Sequence, residues 1–440
     1  MAATTPIANS VIDFITAAGT QDVPPEVIEA ARMCLVDWAG VALGATNEAP
    51  GRIATEAMRD EGPALVLSGG KASAPIAALI NGTLAHSLDF DDTHVPSLTH
   101  ISGPTWAALL ALATTPGIKS TNILRAFVAG FEVGARLGNK IGPALLERRI
   151  HATAVIGTLA ATAAGCALLG LDQTQTANAM GLAATQAGGL TISFGTMAKP
   201  FHAGKAAMNA VIAVMMARAG FVASHTAFDD PEGLARAFLQ DRSLRFQPID
   251  GAGWQLLQNT FKPYASCLLT HASIDCARQL HQRVGKHSIK DLSARVHPLA
   301  IQLAGKVNPA TPLEGKFSLT FCIALGLSGY PASAADFTAD RLKDASVGNA
   351  AARVSLIADT TLRETAAAAR LTLDDGRVLE ADTAFALGNP ENPMSWPDMD
   401  AKFLGLTEPA FGSKAKSILQ KLKAVESAND LVSLGDVIGR

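Results

Sequence analysis

Residues 152–171 read ATAVIGTLAATAAGCALLGL, twenty positions without a formal charge. Length alone permits such a run to cross a bilayer. Its makeup is mostly Ala, Gly and Thr, which gives a poor transfer gain per residue. Small residues instead let helix backbones approach one another closely, so the run reads as a buried helix of a soluble body. The whole chain has the same character. Of its 440 residues, 48% are hydrophobic and only 17% charged, against about 25% charged in ordinary soluble domains. It carries about 80 alanines, 5% aromatics and a formal charge of −3. A chain this apolar is not a disordered one. The balance of charge also excludes a nucleic-acid partner, which needs a basic surplus to neutralise phosphates.

Cys34, Cys166, Cys267, Cys276 and Cys322 are scattered, odd in number and form no CxxC pair. Neither a disulfide framework nor a zinc site follows, and a reducing compartment is the default. The opening MAATTPIANSVIDF lacks the basic stretch and unbroken apolar run of a secretion signal. The expected location is cytoplasmic, with no membrane partner.

Helical spacing recurs outward from residue 152. After Pro24 and Pro25, residues Val27, Ile28, Ala31, Cys34, Leu35 and Trp38 repeat at that period. Residues 73–90, 105–114, 121–139 and 203–220 are further helix candidates, and no segment before about residue 250 alternates with period two. Past Phe261 the pattern changes. Residues 292–301 read as extended, and Asp374-Asp375-Gly376 between Leu371, Leu373 and Val378, Leu379 signals a hairpin. A proline-rich GNPENPMSWP then leads into residues 398–437, again helical, with Lys pairs on the outside. The fold class is mainly α: a large all-helical domain (1–260 and 396–440) with a smaller α+β lid domain (261–395) inserted before the C-terminal helices.

In so charge-poor a chain, ionisable clusters are informative. Residues 81–100 hold His86, Asp89, Asp91, Asp92, Thr93, His94 and His100. If 81–93 is helical, His86, Asp89 and Thr93 share a face, and a carboxylate beside an imidazole makes an acid–base group. The alternatives are helix-capping aspartates with solvent-facing histidines, or a metal-dependent hydrolase using His86, Asp89 and His94. Lys199, His202 and Lys205 fall at the start of another small-residue helix, a setting suited to carboxylate or phosphate; no Walker pattern accompanies them. Lys262, Tyr264, Ser266, Cys267 and His271 form a third group, and His151 precedes the uncharged helix. Cations at the borders of apolar helices suit a multiply negative small molecule. A non-catalytic helical scaffold is the reading that would ignore them.

Taken in order, NGTLAHSLDFDDTH (81–94), IHATAVIGTLAATAAG (150–165), FGTMAKPFHAGKAA (194–207), KPYASCLLTH (262–271), EGKFSLTF (314–321) and GNPENPMSWPDMDAKF (388–403) resemble the MmgE/PrpD family over nearly the whole chain. That resemblance implies a helical domain with an α+β lid, an active site between them, a homodimer, and no required organic cofactor or metal. Known activities are 2-methylcitrate dehydration, cis-aconitate decarboxylation and iminodisuccinate epimerisation. Asp89, Thr93, His100, His151, Lys199 and Lys262 match the family's catalytic positions, with His202, Lys205, Cys267 and His271 as substrate-binding candidates. Decarboxylases of the family carry a His where this chain has Cys267 and tend to have a Tyr at Phe321. The expectation is therefore a lyase dehydrating a 2-methylcitrate-like hydroxy acid. Decarboxylation of cis-aconitate or epimerisation of a dicarboxylate on the same scaffold is the alternative.

Overall fold

The computed structural model of the chain describes residues 7–115, 122–227, 232–240, 249 and 253–438. The fold is mainly α, with a smaller sheet-containing part, and it divides into two compact units. The first comprises residues 1–87, 91–260 and 395–440; the second comprises 88–90 and 261–394. The three-residue exchange at Leu88–Phe90 is announced by no change of composition.

The first unit is built from helices that start and stop on local signals. Pro25 opens Pro25–Gly44, and the Asn122 side chain accepts from the Arg125 amide at the head of Ile123–Glu147. Asp172 and Gln175 form a capping box for Gln173–Gln186, satisfying amides that the first helical turn leaves unpaired. Gly170, at φ +60°, ends Ala152–Leu169 in the left-handed conformation glycine adopts at least cost. That uncharged helix is 89% buried inside the protein. It packs against Ser102–Ala113, Ile123–Glu147 and Ala198–Arg218 as a core helix.

A very close helix crossing joins Ala74–Ser87 to Ala198–Arg218. A Cβ added at Gly82 would lie 2.8 Å from the Gly204 Cα, and one at Gly204 would overlap the Leu79 carbonyl and the Thr83 hydroxyl. Two glycines facing each other let these backbones nearly touch, and His86 and Lys199, one on each helix, meet as a result. Short strands also occur early: Ala64–Leu65 pairs with Lys71–Ala72, and Thr93–His94 with Asn259–Thr260. Two-residue pairings leave no alternation to read, which is why the sequence before residue 250 shows none.

In the second unit a four-stranded sheet runs in the order Val354–Ala358, Ile289–Val296, Ala367–Leu373, Val378–Thr383. The first pair is parallel and the others antiparallel. Leu292, Ala294 and Val296 alternate onto one face with Leu371 and Leu373. There they meet Leu280 of His271–Val284 and Leu319 and Ile323 of Leu319–Leu327. The Asp-Gly hairpin forms as expected, with Gly376 at φ +87° and the Leu373 amide donating to the Arg377 carbonyl. The expected extended stretch 292–301 ends early: the His297 side chain accepts from the Leu299 amide, and Pro298 opens the helix Pro298–Ala304. Proline suits a first helical turn because it has no amide to leave unpaired.

Residues 396–438 return to the first unit as four helices, beginning with Trp396–Phe411 under a Ser395–Asp398 capping box. Lys402 stands apart from the lysine pairs expected on the outside. That side chain is buried and pairs with Asp37 at 2.6 Å.

Because the Gly82–Gly204 crossing has no room for a methyl group, Gly204→Ala is expected to cost about 1–3 kcal/mol of stability by overpacking. Urea unfolding measures this, and an unchanged midpoint would refute the close crossing.

Candidate active site

Helix Ala74–Ser87 stops one residue after His86, and Asp89 has φ +51°. The expected continuous helix over 81–93 is therefore absent, and His86, Asp89 and Thr93 share no helical face. The cause lies in what holds residues 88 and 89. Within the second unit, Lys262 Nζ donates to the Asp89 carbonyl at 2.8 Å and pairs with its carboxylate at 3.5 Å, while Lys316 Nζ donates to the Leu88 carbonyl. Carbonyls engaged by lysines do not continue a helix, and Asp tolerates the left-handed region better than most residues. Both lysines are buried.

The first unit gathers the rest of the acid–base groups around Asp91. His86 Nδ1–H donates to Asp91 Oδ2 at 2.8 Å, and Lys199 Nζ donates to His86 Nε2 at 3.0 Å. His100 Nδ1 lies 3.2 Å from the same Asp91 oxygen and donates to the Asp92 carbonyl at 2.9 Å; Thr93 Oγ1 lies 3.3 Å away. Acceptors crowding Nδ1 place the His100 proton there and make Nε2 the basic nitrogen. Next along, His151 and His202 share a hydrogen bond between their Nδ1 atoms at 3.0 Å. His151 sits at the head of Ala152–Leu169, yet its side chain caps nothing. Phe194 packs edge-on against His151 and lies under the Lys199 ammonium. Lys199 and His202 both ride within Ala198–Arg218, and Lys205, half-buried, donates to the Gly188 carbonyl at 3.4 Å.

Burial sets the protonation of this group. It lowers His86 to about 4, helped by the Lys199 ammonium and opposed by Asp91. It holds His151 well below its ordinary value, again with Lys199 adding, and lowers His202 alongside Lys205. Burial would raise Asp91, but the His86 and His100 imidazoles outweigh it and keep the carboxylate ionised. Asp92 goes the other way, pushed up to about 7 by burial and by Asp37. At neutral pH Asp91 is therefore an ionised carboxylate, and the His86, His151 and His202 rings are neutral.

Of the expected residues, the first unit thus brings together Thr93, His100, His151, Lys199 and His202; Asp89 and Lys262 meet within the second. Also in the second unit, Cys267 is half-buried and its amide donates to the Lys316 carbonyl, while Phe321 packs against Phe337. His271 is fully buried, with Nε2 donating to the Ser266 carbonyl and its ring edge-on to Tyr264. Of the metal trio His86, Asp89 and His94, the last fails: among the described residues His94 joins no group with metal-ligand spacing, and it lies in a strand with Nδ1 on Ser97 Oγ at 2.8 Å. Both His86 nitrogens are engaged, one of them by a cation. Nothing in the sequence shows what Lys316 and Asp37 hold in place, and Asp91 and Asp92 are marked there only as members of the 81–100 cluster. The available signal was isolation: Asp37 stands alone in the apolar run CLVDWAGVAL.

Two family models match the chain, the MmgE/PrpD N-terminal domain over residues 9–247 and the MmgE/PrpD C-terminal domain over residues 264–427. The chain belongs to the MmgE/PrpD family. Among its MmgE/PrpD relatives, human cis-aconitate decarboxylase is 34% identical over 216 residues, 47% of this chain and 44% of that protein. A cis-aconitate decarboxylase-like protein of Aspergillus oryzae is 28% identical over 316 residues, 67% of this chain and 66% of that protein. Cis-aconitate decarboxylase of Aspergillus terreus is 24% identical over 352 residues, 73% and 71%. The matches thus span under half of the human protein and about two thirds of the Aspergillus oryzae protein.

The buried imidazoles set a pH dependence. His86 and His94 titrate at about 4 when folded against an ordinary 6.5. Between those values the unfolded chain binds protons that the folded one refuses, so stability falls as pH is lowered through the window. Each contributes about 1.4 kcal/mol per pH unit. Asp92, raised when folded, opposes one of them in the same window, and the carboxyls of Asp37, Glu132 and Asp275, raised by burial, oppose in the same sense, while His151 and His202 add to the fall. With four buried imidazoles on one side, a net loss of stability is expected between pH 6.5 and 5. Urea midpoints at the two pH values test this; equal or rising stability toward pH 5 contradicts it.

Proposed function

We propose that the protein is a lyase acting on a small tricarboxylate by moving a proton at the carbon next to a carboxylate. The observation that carries this reading is the buried line Asp91–His86–Lys199, with His100 on the same carboxylate. Lys199 supplies the cation for a substrate carboxylate. When the adjacent C–H bond loses its proton, negative charge flows onto that carboxylate, and a fixed ammonium stabilises it more than it stabilises the ground state. His100 Nε2 is the base, its tautomer set by the acceptors at Nδ1. His151 and His202 offer N–H or lone pair to the remaining carboxylates and the hydroxyl. Asp89 and Lys262 keep the roles that the family resemblance implies for them.

Dehydration of a 2-methylcitrate-like hydroxy acid is the first reading, because Cys267 and Phe321 stand where cis-aconitate decarboxylases of the family carry a proton-handling His and Tyr. The C–H electrons form the new double bond as the C–O bond breaks, and His100 returns its proton to the departing hydroxyl, which leaves as water. Decarboxylation is the second reading, favoured by the names of the curated relatives. It shares the carbanion-like intermediate and needs a proton delivered to carbon.

Incubation with citrate, 2-methylcitrate, cis-aconitate and tartrate, followed by proton NMR in D2O, separates these readings. An unsaturated tricarboxylate from a hydroxy acid supports the first, and carbon dioxide with an unsaturated dicarboxylate from cis-aconitate supports the second. No turnover of any substrate overturns the lyase. Lys199→Ala is expected to lower kcat by about 100-fold or more, the scale seen when one transition-state donor is removed. In solution the expected assembly is a homodimer, twice 45.5 kDa by light scattering.

A further inference from the structure

Asp37 and Lys402 lie outside every group discussed so far as catalytic, yet they connect to it. Asp37 sits within Pro25–Gly44, buried among apolar neighbours, and Lys402 reaches it from Trp396–Phe411 with only 4% of its side chain exposed. The ion pair occupies one Asp37 oxygen; the other, Oδ2, accepts the Asp92 backbone amide at 3.2 Å. Asp92 is held through its Oδ2, its amide and its carbonyl. Its carboxylate takes hydrogen bonds from Ser102 and Asn259, its amide is held by Asp37, and its carbonyl accepts from His100 Nδ1. Asp92 therefore turns its peptide groups, rather than its carboxylate, toward the imidazole.

We propose that Asp37 and Lys402 are positioning residues, which fix the Asp92 backbone so that its carbonyl holds the proton of His100 on Nδ1 and keeps Nε2 basic. This rests on the reading of His100 as the base. A buried carboxylate without its cation would become neutral or draw in water, so Lys402 keeps Asp37 an acceptor in one orientation. The pair contributes no group to the substrate; its effect passes through one peptide unit.

Single removal of Lys402 strands a buried charge and can unfold the chain for that reason alone. Two double variants avoid this. Asp37→Asn with Lys402→Met keeps an oxygen for the Asp92 amide without any charge; Asp37→Leu with Lys402→Met fills the same space with no acceptor. Both are read by nitrogen-15 NMR of labelled histidine rings, with the His100 signal assigned by His100→Gln, and by steady-state kinetics. The expected result is a His100 proton on Nδ1 in the wild type and the Asn/Met variant, and a mixed tautomer in the Leu/Met variant, where Asp91 Oδ2 at 3.2 Å is the acceptor left at Nδ1. The Leu/Met variant should also lose kcat about tenfold with KM little changed. A Leu/Met protein that is folded and retains the Nδ1–H tautomer overturns the proposal. The tautomer is read without any substrate, so absence of turnover in the wild type would count against the lyase and leave this test intact.

Discussion

A carboxylate and an ammonium buried in the same apolar helical body, with one imidazole between them, impose the constraint that the first unit is organised around. Asp91 and Lys199 are too costly to bury apart. His86 links them through both ring nitrogens, so each charge is compensated through a neutral group that donates on one side and accepts on the other. The two charges stay distinct, which preserves a cation able to meet an anion from outside. That arrangement needs Ala74–Ser87 and Ala198–Arg218 at nearly touching distance, and only a glycine opposite a glycine provides it. The small residues that make the composition unusual therefore also permit the chemistry.

The second unit solves a related problem with its own lysines. Lys262 and Lys316 are both buried, and both spend hydrogen bonds on the consecutive carbonyls of Leu88 and Asp89. A three-residue segment held in this way takes a backbone conformation that a helix would forbid. Asp89 is displayed at positive φ because its carbonyl and carboxylate are both tied to one ammonium. Strain of this kind persists where the surroundings over-determine it.

What was legible in the sequence is what depends on neighbours in the chain. The long helices announced themselves by period and by proline and glycine at their ends, and the Asp374–Gly376 hairpin by turn chemistry. The uncharged run at 152–171 read correctly as a core helix because its residues are too small and too weakly apolar to favour lipid. Lys199, His202, His151 and His100 could be picked out because charge is scarce. The geometry of the DFDDTH segment was illegible, since the force that ends the helix at Ser87 comes from lysines at 262 and 316. The importance of Asp91 over Asp89 as partner of His86 likewise depends on that unseen turn. Lys402 carries no mark of its burial, because nothing within its own helix reveals an aspartate 365 positions earlier.

That separation has a consequence for how the protein comes into being. A ribosome releases Asp37 long before Lys402, and the entire sheet-containing unit is made in the interval. Until then Pro25–Gly44 carries an acid with no counter-ion at a site that the finished fold seals from water. The nascent helical body must leave that place hydrated or keep the acid protonated, and it stays loosely packed there. Closure of the core around Asp37 is thus tied to the last part of the chain to be made.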